Sequence, residues 1–116
     1  MSLIDEQFTF FIRQSTDKLI VVPDRQQVLR IAIEFIDNSR LIAVDYLHFD
    51  TGRTKYSYQW MDDDNQLIHR WDNAHEVPGI PTSSHHQHIG SEANVHPSEP
   101  MTLEKVLSFI ALQLAQ

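Results

Sequence analysis

The sequence predicts an α+β fold: an antiparallel β-meander of four to five strands, with a C-terminal helix and an N-terminal helix packed on one face. Three observations carry this. Hydrophobic residues alternate with period two through the middle of the chain, turn-forming clusters punctuate that alternation at short intervals, and the period changes to helical at both ends. A sheet apolar on one face has to bury it, and an amphipathic helix laid across it is the economical solution. At 116 residues the chain is expected to be a single domain, 1–116, large enough for one core.

Taken in order, Ile4, Phe8, Phe11 and Ile12 fall at i, i+4, i+7 and i+8, which predicts a helix over 3–14 with Ser2 as its N-cap and Asp5 and Glu6 in its first turn. The alternative is a strand through the aromatic and β-branched run 8–12. Leu19-Ile20-Val21-Val22 predicts a short strand stopped by Pro23. Ile31, Ile33 and Phe35 alternate with polar or small residues and predict a half-buried strand, which ends at the turn Asp37-Asn38-Ser39. Residues 41–49 are apolar on both faces and predict a central strand. After the turn around Gly52 a third member follows, with Tyr56, Tyr58 and Trp60 on one face. Asp62-Asp63-Asp64-Asn65 reads as a hairpin turn, because it lacks the Gly and Glu positions of a calcium loop. A fourth strand is expected over 66–72. At the other end Leu103, Val106, Leu107, Ile110 and Leu114 define an apolar helical stripe, with Thr102 as N-cap and Glu104 in the first turn.

Residues 73–101 have no period and contain Pro78, Pro81, Pro97 and Pro100, so they are expected to form a long irregular loop packed over the sheet. Loops of that length in small domains are usually functional or disordered. Five of the seven histidines, His75, His85, His86, His88 and His96, lie within it. Imidazole is both the commonest metal ligand and the general acid or base poised near neutral pH. In an extended segment His86 and His88 project to the same side and can share one divalent metal such as zinc. A third ligand would come from His75, Asp72 or His96. As general acid/base candidates the region offers Asp72, His75, His85, His86 and His88, with Asp72 suited to orient an imidazole. Hydrogen bonding to backbone carbonyls is the structural alternative for all of these histidines. Trp71 and Asn73 are read as packing and turn residues or as binding residues. The tyrosines and tryptophans of the strands read more readily as core than as a base-stacking platform. Ser83 and Ser84 sit in no nucleophile elbow.

The absence of cysteine excludes disulfides and thiolate metal sites. No apolar run approaches the ~20 residues of a membrane span. The acidic N-terminus is unlike a secretory signal, so the expected location is cytoplasmic, without a membrane partner. The net charge is −7, which disfavours generic nucleic-acid binding. Eight of nine Lys and Arg residues nevertheless lie between Arg13 and Arg70, and Arg53, Lys55 and Arg70 flank neighbouring strands where they could gather into a local phosphate-binding patch.

Three runs together resemble the TumE family of small bacterial proteins: Tyr56-Ser57-Tyr58-Gln59-Trp60, then Leu67-Ile68-His69-Arg70-Trp71-Asp72-Asn73-Ala74-His75, and His85-His86-Gln87-His88-Ile89-Gly90 after Pro81-Thr82. The segment from Pro97-Ser98-Glu99-Pro100 into Thr102–Leu107 fits as well. The resemblance extends over about 41–110, and its characteristic positions fall on Trp71, Asp72, Asn73, His75, His85, His86, His88 and Gly90. It implies a toxin of a two-component toxin–antitoxin system, neutralised by a helix-turn-helix antitoxin. It also implies an action on RNA or translation. The acidic charge departs from the basic character of toxins that cut RNA. It leaves room for a non-enzymatic interaction module with structural histidines, and a homo-oligomer is left open.

Overall fold

The computed structural model describes residues 4, 6–52, 54–73 and 84–116. Seven strands form one antiparallel sheet in sequential order: β1 (Ile12–Val22), β2 (Gln26–Phe35), β3 (Arg40–His48), β4 (Thr54–Met61), β5 (Leu67–Asp72), β6 (His86–Ile89) and β7 (Val95–Pro97). One α-helix, α1 (Leu103–Leu114), follows. The α+β meander and its C-terminal helix are as expected, but there are seven strands rather than four to five.

Two expectations are corrected, of which the second, β6 and β7, accounts for the two further strands. The predicted N-terminal α-helix is a single 3-10 segment, Glu6–Phe11, and the chain then continues directly into the eleven-residue β1. Aromatic and β-branched residues at 8–11 lose side-chain freedom in an α-helix, and Thr9 ties its hydroxyl to the carbonyl of Glu6 at 2.8 Å. Ile4 and Phe8 still reach the core, so the buried half of the stripe survives the change of helix type. Ser2 and Asp5 lie outside the described residues. Second, the expected irregular loop 73–101 contains β6 and β7, which pair in register with β5 and with each other (His88↔Arg70, His86↔Asp72, Gln87↔His96).

The turns use local side chains as expected. Asp37 Oδ1 accepts from Ser39 N at 2.9 Å, and Asn38 takes φ 70°. Asp62 Oδ1 accepts from the amides of Asp64 and Gln66, both at 2.9 Å, while Asn65 takes φ 64°. Thr102 caps α1 by accepting from Lys105 N at 3.2 Å.

Because paired residues share a face, the register sorts the sheet into two sides. One side carries Ile31, Ile33, Phe35, Leu41, Ala43, Tyr56, Tyr58, Trp60 and Trp71, which form one core with Val106, Leu107 and Ile110 of α1. Phe109 locks the helix to the sheet, edge-on to Trp60, His69 and Trp71 at centroid distances of 6.4, 5.2 and 5.3 Å. The other side carries Lys55, Ser57 and Gln59 of β4, Arg70 and Asp72 of β5, and His86 and His88 of β6.

Candidate functional site

Strand pairing places Asp72 opposite His86 and Arg70 opposite His88, so four chemically capable side chains stand on the side of the sheet away from α1. Asp72 is 4% exposed, His86 0% and His88 6%. Imidazole and carboxylate buried this deeply need partners, and the cluster supplies them. His86 Nε2 stands 3.0 Å from Asp72 Oδ1, and His88 Nε2 stands 3.8 Å from Asp72 Oδ2. Arg70 donates through Nε to Asp72 Oδ2 at 3.2 Å and through Nη2 to His88 Nε2 at 3.2 Å. It also forks onto Glu92, Nη1 to Oε1 at 2.6 Å and Nη2 to Oε2 at 2.5 Å.

The outer ring nitrogens fix both tautomers. His86 Nδ1 is 3.0 Å from the carbonyl of Ser84, and His88 Nδ1 is 2.8 Å from the carbonyl of Glu92. A carbonyl oxygen only accepts, so each Nδ1 carries a hydrogen and each Nε2 faces inward toward Asp72. Ser84 directs its carbonyl this way from φ 78°, a left-handed conformation that costs a serine energy and concentrates at functional sites. Gly90, at φ 75°, turns the chain out of β6 and donates its amide to Ile68 O at 2.9 Å, which holds that strand against β5.

His85 does not join this cluster. One residue before His86, it falls on the opposite side of the sheet and stacks on Tyr56 at a centroid distance of 5.8 Å, with its Nδ1 2.9 Å from the Tyr56 hydroxyl. That hydroxyl also accepts from Met101 N at 3.2 Å, just ahead of α1. Burial pushes the Tyr56 phenol above its ordinary value; the Met101 amide opposes this and the Asp72 charge adds to it. The hydroxyl therefore keeps its proton and shares a hydrogen bond with His85 Nδ1.

The remaining expected residues separate clearly. Trp71 is buried in the aromatic core on the α1 side, stacked on His69 at 4.0 Å. Burial lowers the His69 imidazole from its ordinary value, opposed by its hydrogen bond to Gln87 Oε1 at 2.7 Å. Asn73 extends the β4–β5 pairing, its Oδ1 accepting from Tyr56 N at 2.7 Å. His96 is exposed on β7 and bonds Asn94 Oδ1 at 2.8 Å. Lys55 shares a face with Arg70, but Arg70 is committed to Asp72 and Glu92. His75, Arg53 and Ser83 lie outside the described residues. Glu92 is the member that sequence reasoning missed: a single acidic residue in a turn, whose one signal is its position four residues after His88.

Among the described residues, Asp72, His86 and His88 offer one ligand atom each within 4.8 Å of one another, as could be asked of a metal centre. The exposed trio Asp62, Asp63 and Asp64 shares that property, but the Asp62 carboxylate is already used to close its hairpin. No described helix is long and apolar enough to cross a membrane. No curated protein and no solved structure was found to match the chain. A family model described as Toxin TumE matches residues 3–114, nearly the whole length, and the chain belongs to that toxin family.

Proposed function

We propose that this protein is the toxic partner of a toxin–antitoxin pair and acts enzymatically on RNA or on a component of translation, with Asp72, His86 and His88 as its active centre. Membership of a toxin family implies an antitoxin, and a helix-turn-helix protein is the partner proposed here. The single observation that carries the enzymatic reading is the convergence of two imidazole Nε2 atoms on one buried carboxylate, with both outer nitrogens fixed by backbone carbonyls. Folding alone gives no reason to bury His86 and His88 where an apolar alternation would pack better. In this reading Asp72 orients the imidazoles, and His88, beside the partly exposed Arg70, is the group nearest a substrate. Arg70 is positioned to meet a phosphate or a developing negative charge once Glu92, whose side chain is 61% exposed, moves aside.

A second reading, an interaction module that harms the cell by binding alone, is favoured by one observation: the net charge of −7 repels polyanions. The test is to induce the protein alone in a bacterial host, beside His86→Ala and His88→Ala. Growth arrest relieved by both substitutions, with the fold intact by circular dichroism, supports the enzyme. Arrest that survives both moves the conclusion to the interaction module, and absence of arrest from the parent chain overturns the toxin assignment.

A further inference from the structure

We propose that Asp72, His86 and His88 bind one divalent transition-metal ion, with zinc the reference occupant. This deepens the reading of that same centre and rests on it only for the location.

A histidine that ligates a metal through Nε2 characteristically donates its Nδ1–H to a carbonyl or carboxylate, which fixes the tautomer and raises the basicity of the ligating atom. Both histidines are arranged in this way, on Ser84 O at 3.0 Å and Glu92 O at 2.8 Å. The tautomers that result turn two inward nitrogens toward the Asp72 carboxylate. At 3.0 Å, His86 Nε2 and Asp72 Oδ1 are two electron-rich atoms in hydrogen-bond contact, a separation that needs a proton or a cation between them. Two donors at bond lengths of about 2.0–2.1 Å and 3.0 Å apart subtend about 91–97° at a shared ion, a ligand angle compatible with five- or six-coordination. All three donor atoms lie within 4.8 Å of one another, so an ion requires closure of the set without rearrangement of the strands.

Two features of the surroundings agree. A cation already stands at the cluster: the Arg70 guanidinium donates to Asp72 Oδ2 and to the inward nitrogen of His88, both at 3.2 Å. Arg70 therefore holds the donor set together in the metal-free protein, and an ion takes His88 from it. Its other anchor is Glu92, on the exposed turn after β6, so the guanidinium has somewhere to go. The donor set is also selective. Two nitrogens and a carboxylate, with no thiolate in the chain, suit zinc, iron(II), cobalt or manganese far better than calcium or magnesium. His85, on the far side of the sheet, and His96, exposed on β7, are not ligands.

The test is direct. Untagged protein purified without chelator is analysed for metals, then stripped and titrated with zinc and, separately, with cobalt(II), manganese(II) and iron(II). One equivalent per chain is expected for at least one of these ions, with a rise in thermal midpoint on addition. His86→Ala and Asp72→Asn are expected to weaken binding by more than the 10–100-fold typical of residues that only support a ligand, while His85→Ala keeps its full equivalent. If a ligand variant fails to fold, the titration of the stripped parent chain stands alone, with the cobalt(II) absorption spectrum reporting nitrogen and oxygen ligation. No stoichiometric uptake of any of the four ions overturns the proposal, as does retention of the full equivalent by a folded His86→Ala protein. Metal content is read without a growth assay: a toxic, metal-free protein removes the ion and leaves the toxin, and a metal-loaded, harmless one does the reverse.

Discussion

Replacing Tyr56 with Phe removes one oxygen and tests whether β4, His85 ahead of β6 and Met101 ahead of α1 are tied together on the α1 side of the sheet as described. That oxygen accepts from Met101 N at 3.2 Å and faces His85 Nδ1 at 2.9 Å, so its loss strands an amide and a ring nitrogen at once. The ring itself stays, stacked on Tyr58 at 5.0 Å, and no cavity of consequence opens. Leaving a buried polar group without a partner costs about 1–3 kcal/mol. Both stranded groups are only partly buried, which places each near the lower end and the total at about 2–3 kcal/mol. For a chain of this size, with a urea slope of about 2 kcal/mol per molar, the unfolding midpoint should fall by about 1–1.5 M. The same variant releases His85 from its hydrogen bond to the hydroxyl, so the nitrogen shifts of its ring should move. A midpoint change below about 0.3 M together with unaltered His85 nitrogen shifts would refute the reasoning.

Three further outcomes follow from the same structure. Ile110→Ala, at a position with no exposed surface between α1 and the sheet, should cost about 2–5 kcal/mol in chemical denaturation, and a cost under 1 kcal/mol would mean that the helix does not close the core as described. His69 has its imidazole value lowered by burial, so the folded state binds its proton less readily than the unfolded one. The associated stability is fully present above the ordinary histidine value of ~6.5 and is lost as pH falls from there through the lowered folded value. Urea midpoints from pH 7.5 to 5 should therefore fall more steeply in the parent than in His69→Gln, by at most one proton, about 1.4 kcal/mol per pH unit. Parallel curves would contradict this. Finally, Thr102→Ala should cost about 1 kcal/mol by removing the side-chain acceptor for Lys105 N, with helicity near 102–106 falling first in amide exchange.

The parts of the fold legible in the sequence are those in which hydrophobic period and burial coincide. The stripe Leu103, Val106, Leu107 and Ile110 buries as a stripe, so α1 begins after Thr102 as its pattern requires. Tyr56, Tyr58 and Trp60 alternate because β4 has one face on the core. β1 was legible only at its end, as the apolar strand Leu19–Val22 ahead of Pro23; residues 13–18 are polar and exposed, leaving no alternation to read, and their pairing to β2 is a backbone matter. β6 escaped for the opposite reason. It alternates in burial, but the buried positions are His86 and His88, so a scale of apolarity reads it as loop. The pairing of those two histidines was legible from parity alone; Asp72 stood as one of three options for the third member, beside His75 and His96. The separation of His85 from them follows from the same parity once the segment is extended. The fork from Arg70 to Glu92 was not legible, because it joins a strand to a turn 22 residues later with no spacing rule between them.

The central claim is that the buried carboxylate and its two imidazoles carry the toxicity, and Asp72→Asn addresses it most directly. Asparagine has the shape of aspartate and keeps an oxygen for Arg70, so the exchange removes charge while preserving volume. The measurement is the growth rate of a bacterial culture after induction of the parent chain or the Asp72→Asn chain, at matched soluble protein levels and matched circular dichroism. Arrest is expected with the parent, and growth at the uninduced rate with Asp72→Asn. Arrest of equal depth in both cultures would contradict the claim.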